Sequence, residues 1–100
     1  MLAAEKDYSS LSRDLRVGLG HWLKSLREDQ GLTQRDLADR LGLEYYTFIS
    51  QLETGRGKIP PNRYLDWAKA LGQDPRAFVT RLFSCYDPIT HEIIMGNDSL

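Results

Sequence analysis

Apolar residues in this chain recur at intervals of three and four along most of its length, the period of helices packed on one core. Tyr8, Leu11 and Leu15 are spaced for a short leading helix, and Gly18 and Gly20 interrupt the pattern. Leu19, Leu23 and Leu26 then mark a second helix, closed by Gly31, after which Leu32 turns into the core. From Thr33 to Gly55 the sequence TQRDLADRLGLEYYTFISQLETG holds two short amphipathic runs about a central Gly42. The Thr33 hydroxyl is placed to cap the first run and Asp36 to reach back to it, with Leu37, Ala38 and Leu41 following at helical spacing. Gly42 supplies the positive φ of a sharp helix-to-helix turn, and Ala38 the small side chain that close packing favours.

Drawn at about 100° per residue, the second run separates into two arcs. Tyr45, Phe48, Ile49 and Leu52 gather on one, suited to packing on the first helix. Tyr46, Thr47, Ser50, Gln51 and Thr54 gather on the other, with Glu53 on the border. That second arc holds hydroxyls, an amide and an aromatic ring with almost no charge. Such a face can bond base edges and touch a thymine methyl in the major groove, as the second helix of a helix-turn-helix does. A lone polar arc would be read as solvated surface; the preceding helix and turn favour the DNA reading.

These residues resemble the Xre, or lambda Cro/repressor-type, helix-turn-helix family over roughly residues 19–83. The matching pieces are LGHWLKSLREDQGLTQ at Leu19 to Gln34, the pair Ala38 and Gly42, ISQLETGR at Ile49 to Arg56, and LDWAKALG at Leu65 to Gly72. Between Gly42 and Ile49 the chain carries one residue more than the usual pattern, which lengthens the turn or shifts the helix start. The resemblance implies an all-α, five-helix lambda-repressor-like domain that binds double-stranded DNA. In the family the residue matching Gln34 typically bonds a phosphate and braces the reader helix, and that role is expected here.

The DNA-binding set expected from the residues and the resemblance is Thr33, Gln34, Arg35, Tyr45, Tyr46, Thr47, Ser50, Gln51, Arg56, Lys58 and Arg63. Tyr46 and Gln51 lead for base contact, since glutamine can bond adenine in a two-pronged way and a tyrosine ring can press on thymine. Thr47 and Ser50 come next, and Tyr45 is either core or a hydroxyl at the margin. Arg35 by position, and Arg56, Lys58 and Arg63 clustered about Pro60 and Pro61 near the end of the reader helix, suit phosphate contacts. Thr33 opens a helix whose backbone N–H groups can also meet phosphate.

Further on, Pro60 and Pro61 lead into a helix with Leu65, Trp67, Ala68 and Leu71 looking inward and Gly72 at its end. Asp74 as N-cap and Pro75 at the first helical position start another, packed through Phe78, Val79 and Leu82. After Phe83 the character changes. Asp87-Pro88 is a turn signal and Ile93-Ile94-Met95 a brief strand-like run, so residues 84–100 are expected as a short extended tail. Left open, its edge would invite aggregation; it either folds back or pairs with a second copy, and pairing is slightly favoured. The division is thus an N-terminal helix or arm over 1–18, the helix-turn-helix domain over 19–83, and the tail.

Composition bounds the rest. One hundred residues with 41% hydrophobic content support one modest core, and a formal net charge of −1 rules out a uniformly basic coat while leaving room for a local positive patch. Cys85 is the only cysteine, so no internal disulfide or thiolate-rich zinc site forms, and a reducing compartment suits the chain. Nothing in it reads as a membrane span or secretion signal, and a cytoplasmic, nucleoid-associated protein of bacterial or phage origin is expected. His21 and His91 lack a second ligand at metal spacing, no nucleophile motif occurs, and in GRGK at Gly55 to Lys58 the glycine spacing and following Ile59 do not make a phosphate-cradling loop. No enzyme, metal, cofactor or small-molecule effector is expected. The reading is a transcription regulator, a repressor acting on a promoter operator as a homodimer, with an antitoxin or adaptor that uses the fold to grip a protein as the alternative.

Overall fold

The structure is a computed structural model that describes residues 2–96, with residues 2–7 as backbone only. Every element is helical: α1 (Leu2–Asp29), α2 (Gln34–Arg40), α3 (Thr47–Glu53), α4 (Tyr64–Ala70), α5 (Pro75–Tyr86) and α6 (Pro88–Met95), with a 3₁₀ turn at Pro61–Arg63 before α4. The all-α expectation holds: among the described residues there are six α-helices and no strand, the sixth lying beyond residue 83.

The first difference is α1. Gly18 and Gly20 do not break it, and one helix of 28 residues replaces the leading helix and its successor. Gly20 is explained by packing: a Cβ there would lie 2.6 Å from the carbonyl oxygens of both Leu52 and Glu53. The bare backbone lets α1 press on the end of α3, and that contact outweighs the roughly 1 kcal/mol by which glycine weakens a helix interior. Gly18 meets nothing within 4 Å, and its presence has no packing explanation.

The core is built from Leu19 and Leu23 of α1, Leu37, Ala38 and Leu41 of the α2 region, Ile49 and Leu52 of α3, Ile59, Trp67, Ala68 and Leu71 about α4, and Phe78 and Leu82 of α5. Trp22 stacks on Phe78 with ring centroids 5.5 Å apart, fixing α5 along α1. Leu65 departs from expectation and faces solvent. Its neighbours Trp67, Ala68 and Leu71 already fill the inward arc, and two residues before Trp67 the helix surface has turned away by about 200°.

The second difference is the tail. Ile93-Ile94-Met95 lies within α6, not in an extended run. Asp87 caps this helix by accepting from the Thr90 N–H at 3.2 Å, and Pro88 occupies its first turn, so the turn signal at Asp87-Pro88 is a helix start. Of the tail, residues 97–100 lie outside the described residues.

Candidate nucleic-acid interface

Local sequence sets α2 first. The Thr33 hydroxyl accepts from the Asp36 N–H at 3.0 Å while the Asp36 carboxylate accepts from the Thr33 N–H at 2.9 Å, a reciprocal cap. The bond from the Thr33 N–H, with the Thr33 side chain beside it, holds the Asp36 carboxyl below the usual carboxylate range. Gly42 at φ +69° ends the helix as expected, and the connection runs on through Tyr46 before α3 begins.

Helix α3 is then locked in rotation by a buried ion pair. The Glu53 carboxylate accepts from Arg27 Nε at 2.7 Å and from Arg27 Nη2 at 3.0 Å, with both side chains under a tenth exposed. Gln34 Nε2 donates to the same carboxylate at 3.0 Å, and Arg27 Nη1 donates to the Leu32 carbonyl at 2.7 Å. One cluster thus ties α1, the turn at Leu32, α2 and α3 together. Its hydrogen bonds to Glu53 raise the Arg27 guanidinium above its ordinary value, more than burial lowers it. Glu53 is therefore a core residue, not a border one, and Gln34 braces α3 through it.

With Glu53, Ile49 and Leu52 turned inward, Thr47, Gln51 and Thr54 face outward and Ser50 is half-buried beside them. Thr54 spends its hydroxyl on the last turn, donating to the carbonyls of Ser50 and Gln51. Tyr46 is the residue immediately before α3, exposed, with the Arg35 guanidinium 5.7 Å from its ring centroid. Tyr45 is not core. At 69% exposure it stands in the turn, because α3 begins only at Thr47 and the inner arc starts with Phe48.

Cations flank the uncharged stripe unevenly. Thr33, Gln34 and Arg35 come together with Tyr46 around a shallow depression of about 330 Å³ at one end of α3. Arg56 is exposed at the other end, its Nε 3.4 Å from the Thr54 hydroxyl. Lys58 lies farther round: its ammonium donates to the Tyr86 carbonyl at 3.4 Å and sits 5.6 Å above that ring. Tyr86 in turn accepts from the Ile59 N–H at 3.0 Å, so the end of α5 holds this loop. Arg63 does not join Arg56 and Lys58. Half-buried, it donates to the Leu41 carbonyl at the end of α2, and its Nε lies 3.0 Å from the Asp66 carboxylate without hydrogen-bond alignment. The 3₁₀ turn carries it across to α2, which the cluster about Pro60 and Pro61 did not reveal.

Two residues outside the expected DNA-binding set lie beside the stripe. His21 and Lys24 line a depression of about 370 Å³ with Val17, Gln34, Ser50, Glu53 and Thr54. Lys24 is exposed and brings a cation to the side of α3 where Ser50 lies. Positions 17, 21 and 24 share one face of a continuous helix, a signal hidden by reading Gly18 and Gly20 as breaks.

A family model described as a helix-turn-helix domain matches residues 19–79. The chain belongs to that family, which is of the Xre/Cro type. No curated protein matches it significantly. Family membership makes DNA binding, and with it transcriptional regulation, the function class of this helix-turn-helix protein. Among the described residues no helix is long and apolar enough to cross a membrane.

Proposed function

We propose that this helix-turn-helix protein is a sequence-specific binder of double-stranded DNA that acts as a repressor, occupying a promoter operator as a homodimer. The observation that carries the reading is the outward stripe of Thr47, Ser50 and Gln51, with Tyr46 at its head, held in phase by the buried Glu53 and flanked by Lys24, Arg35 and Arg56. Gln51 presents a donor and an acceptor to a base edge, and an adenine is its natural two-pronged partner. Tyr46, steadied by Arg35, offers a ring to a thymine methyl or a hydroxyl to a phosphate. The cations supply the salt-dependent, sequence-blind part of the affinity. Repression is the simplest output of such a reader, since a bound operator excludes polymerase without further chemistry.

Selection of a preferred duplex from a random pool, followed by titration of variants, tests this. Gln51→Ala should lose about 1–3 kcal/mol of discrimination at one base pair, and Tyr46→Ala should relax preference at a neighbouring one. Unchanged affinity and unchanged preference in both variants would refute the assignment of the stripe as reader.

A further inference from the structure

The turn at Asp87 brings α6 back against α5, where His91 meets the Phe83 ring edge-on at 5.5 Å. An open trough of about 610 Å³ is left between α1, α5 and α6, with Trp22 contributed by α1 and His91 by α6. Ala77, Arg81 and Ser84, spaced by four and three, line it along successive turns of α5.

The charge of this trough is one-sided. Arg76 and Arg81 both line it, and neither has a carboxylate partner among the described residues. The Arg81 guanidinium lies 5.1 Å from the Trp22 ring centroid, and that ring is itself stacked on Phe78, so the cation rests on a fixed apolar platform. Asp74 is the one acid of the lining, and its carboxylate already accepts from the Ala77 N–H as the cap of α5. The Thr80 and Ser84 hydroxyls donate to the Arg76 and Arg81 carbonyls at 2.7 Å, which leaves the two guanidiniums and the His91 ring as the donors open to a ligand. The depression of about 590 Å³ at the end of α2 is different: there Arg40 and Arg63 are bonded to the Ala70 and Leu41 carbonyls, and Asp39 and Asp66 offset the cations.

We propose that the trough between α1, α5 and α6 binds a small organic anion, a carboxylate or phosphate carried on an apolar body, with Arg76 and Arg81 holding the charge and Trp22 and Ala77 meeting the body. The volume suits such a molecule, since ligand sites run from about 300 to 1,000 Å³. A planar guanidinium takes two oxygens of a carboxylate or phosphate in parallel bonds, and one already settled on an aromatic ring loses little freedom in doing so. Lys24 comes two residues after Trp22, about 200° round α1, and lies on the α3 side, so an anion in the trough leaves the reader stripe clear. The site goes beyond the proposed function, which uses no effector.

The test is a titration of the full chain, labelled with nitrogen-15 and free of DNA, with benzoate and with phenyl phosphate, following the Trp22 indole N–H and the Ala77 and Arg81 amide signals. Saturable shifts at these groups are expected from at least one probe, with a dissociation constant on the order of 1 mM for so small a molecule, and the tighter probe identifies the head group. Benzyl alcohol, which lacks the charge, and inorganic phosphate, which lacks the ring, should each bind at least about 10-fold more weakly. Arg81→Gln should weaken the better probe by about 10-fold or more and Arg81→Lys should restore part of the loss, while Arg76→Gln, which leaves the Trp22 platform untouched, should weaken it by about 3-fold or more. Absence of saturation by about 20 mM with both probes, equal binding of benzyl alcohol, or unchanged binding in Arg81→Gln and Arg76→Gln overturns the proposal. So does a fall in duplex affinity in those two variants, which would make the arginines anchors for DNA phosphates instead. Because the probes are read without a duplex, failure of the α3 reading leaves the result standing.

Discussion

Replacing Glu53 by alanine strips the charge partner from a guanidinium that has almost no access to water. Arg27 would keep its bond to the Leu32 carbonyl but lose two charge-assisted bonds of 2.7 and 3.0 Å, and Gln34 would lose its acceptor. At roughly 3 Å and an effective dielectric near 20, the attraction removed is about 5 kcal/mol before solvation is counted. Breaking a buried pair from one side costs about 3–5 kcal/mol, most of it for the charge left behind. A domain of this size has roughly 5–15 kcal/mol in total, so Glu53→Ala should come close to unfolding it. Urea unfolding followed by the fluorescence of Trp22 and Trp67 would measure the loss. Arg27→Met combined with Glu53→Leu should cost less than the two single changes added, by at least about 2 kcal/mol, since neither charge is then stranded. The half-exposed pair of Arg63 and Asp66 is the control, and Asp66→Ala should cost under about 1 kcal/mol. The reasoning fails if Glu53→Ala costs under about 1 kcal/mol, or if the double change equals the sum.

Other expectations follow from single contacts. Gly20→Ala and Gly18→Ala should shift the urea midpoint in opposite directions: the first loses about 1–3 kcal/mol because its Cβ meets the Leu52 and Glu53 carbonyls, and the second gains about 0.5–1 kcal/mol because it meets nothing. Loss of stability in both would refute the packing account. Arg56→Ala should weaken binding to all duplexes alike and reduce the salt slope by about 1, and base-selective loss would argue against a phosphate role. Burial pushes the Tyr86 phenol up to about 12. Its folded value lies above the ordinary 10, so its contribution to stability is full below pH 10 and is lost as pH rises toward 12. Tyr86→Phe should flatten thermal midpoint against pH over that window and, by orphaning the Ile59 N–H, cost about 1–3 kcal/mol at neutral pH; an unchanged slope refutes it.

What the sequence disclosed was whatever a single segment settles within itself. The caps at Thr33 and Asp74, the positive φ of Gly42 and the inward arc of Phe48, Ile49 and Leu52 depend on neighbours three or four residues away, and the structure has them where the spacing placed them. Features settled by a distant partner were misread. Gly20 looks like a break until the carbonyls of α3 are seen against it, some thirty residues on. Ile93-Ile94-Met95 is β-branched enough to suggest a strand, but no second strand exists among the described residues, and the Asp87 cap with Pro88 starts a helix. Arg63 reads as one of three clustered cations, and the turn that separates it from Arg56 and Lys58 leaves no trace in spacing.

The phase of the reader stripe shows why such partners matter for function. A helix of seven residues spans about 10 Å and can roll on a hydrophobic bed, because Ile49 and Leu52 alone tolerate some rotation. Glu53 removes that freedom, being bonded from α1 and α2 at once. With Glu53 fixed inward, the residue two earlier is turned by about 200°, which directs Gln51 away from the core, and Thr47 comes to within about 40° of it. The two side chains that would meet a base edge thus owe their direction to a carboxylate that never leaves the interior. A change that loosens the Arg27 bond while leaving the domain folded should therefore blur base preference before it abolishes affinity, since Lys24, Arg35 and Arg56 stand outside that cluster.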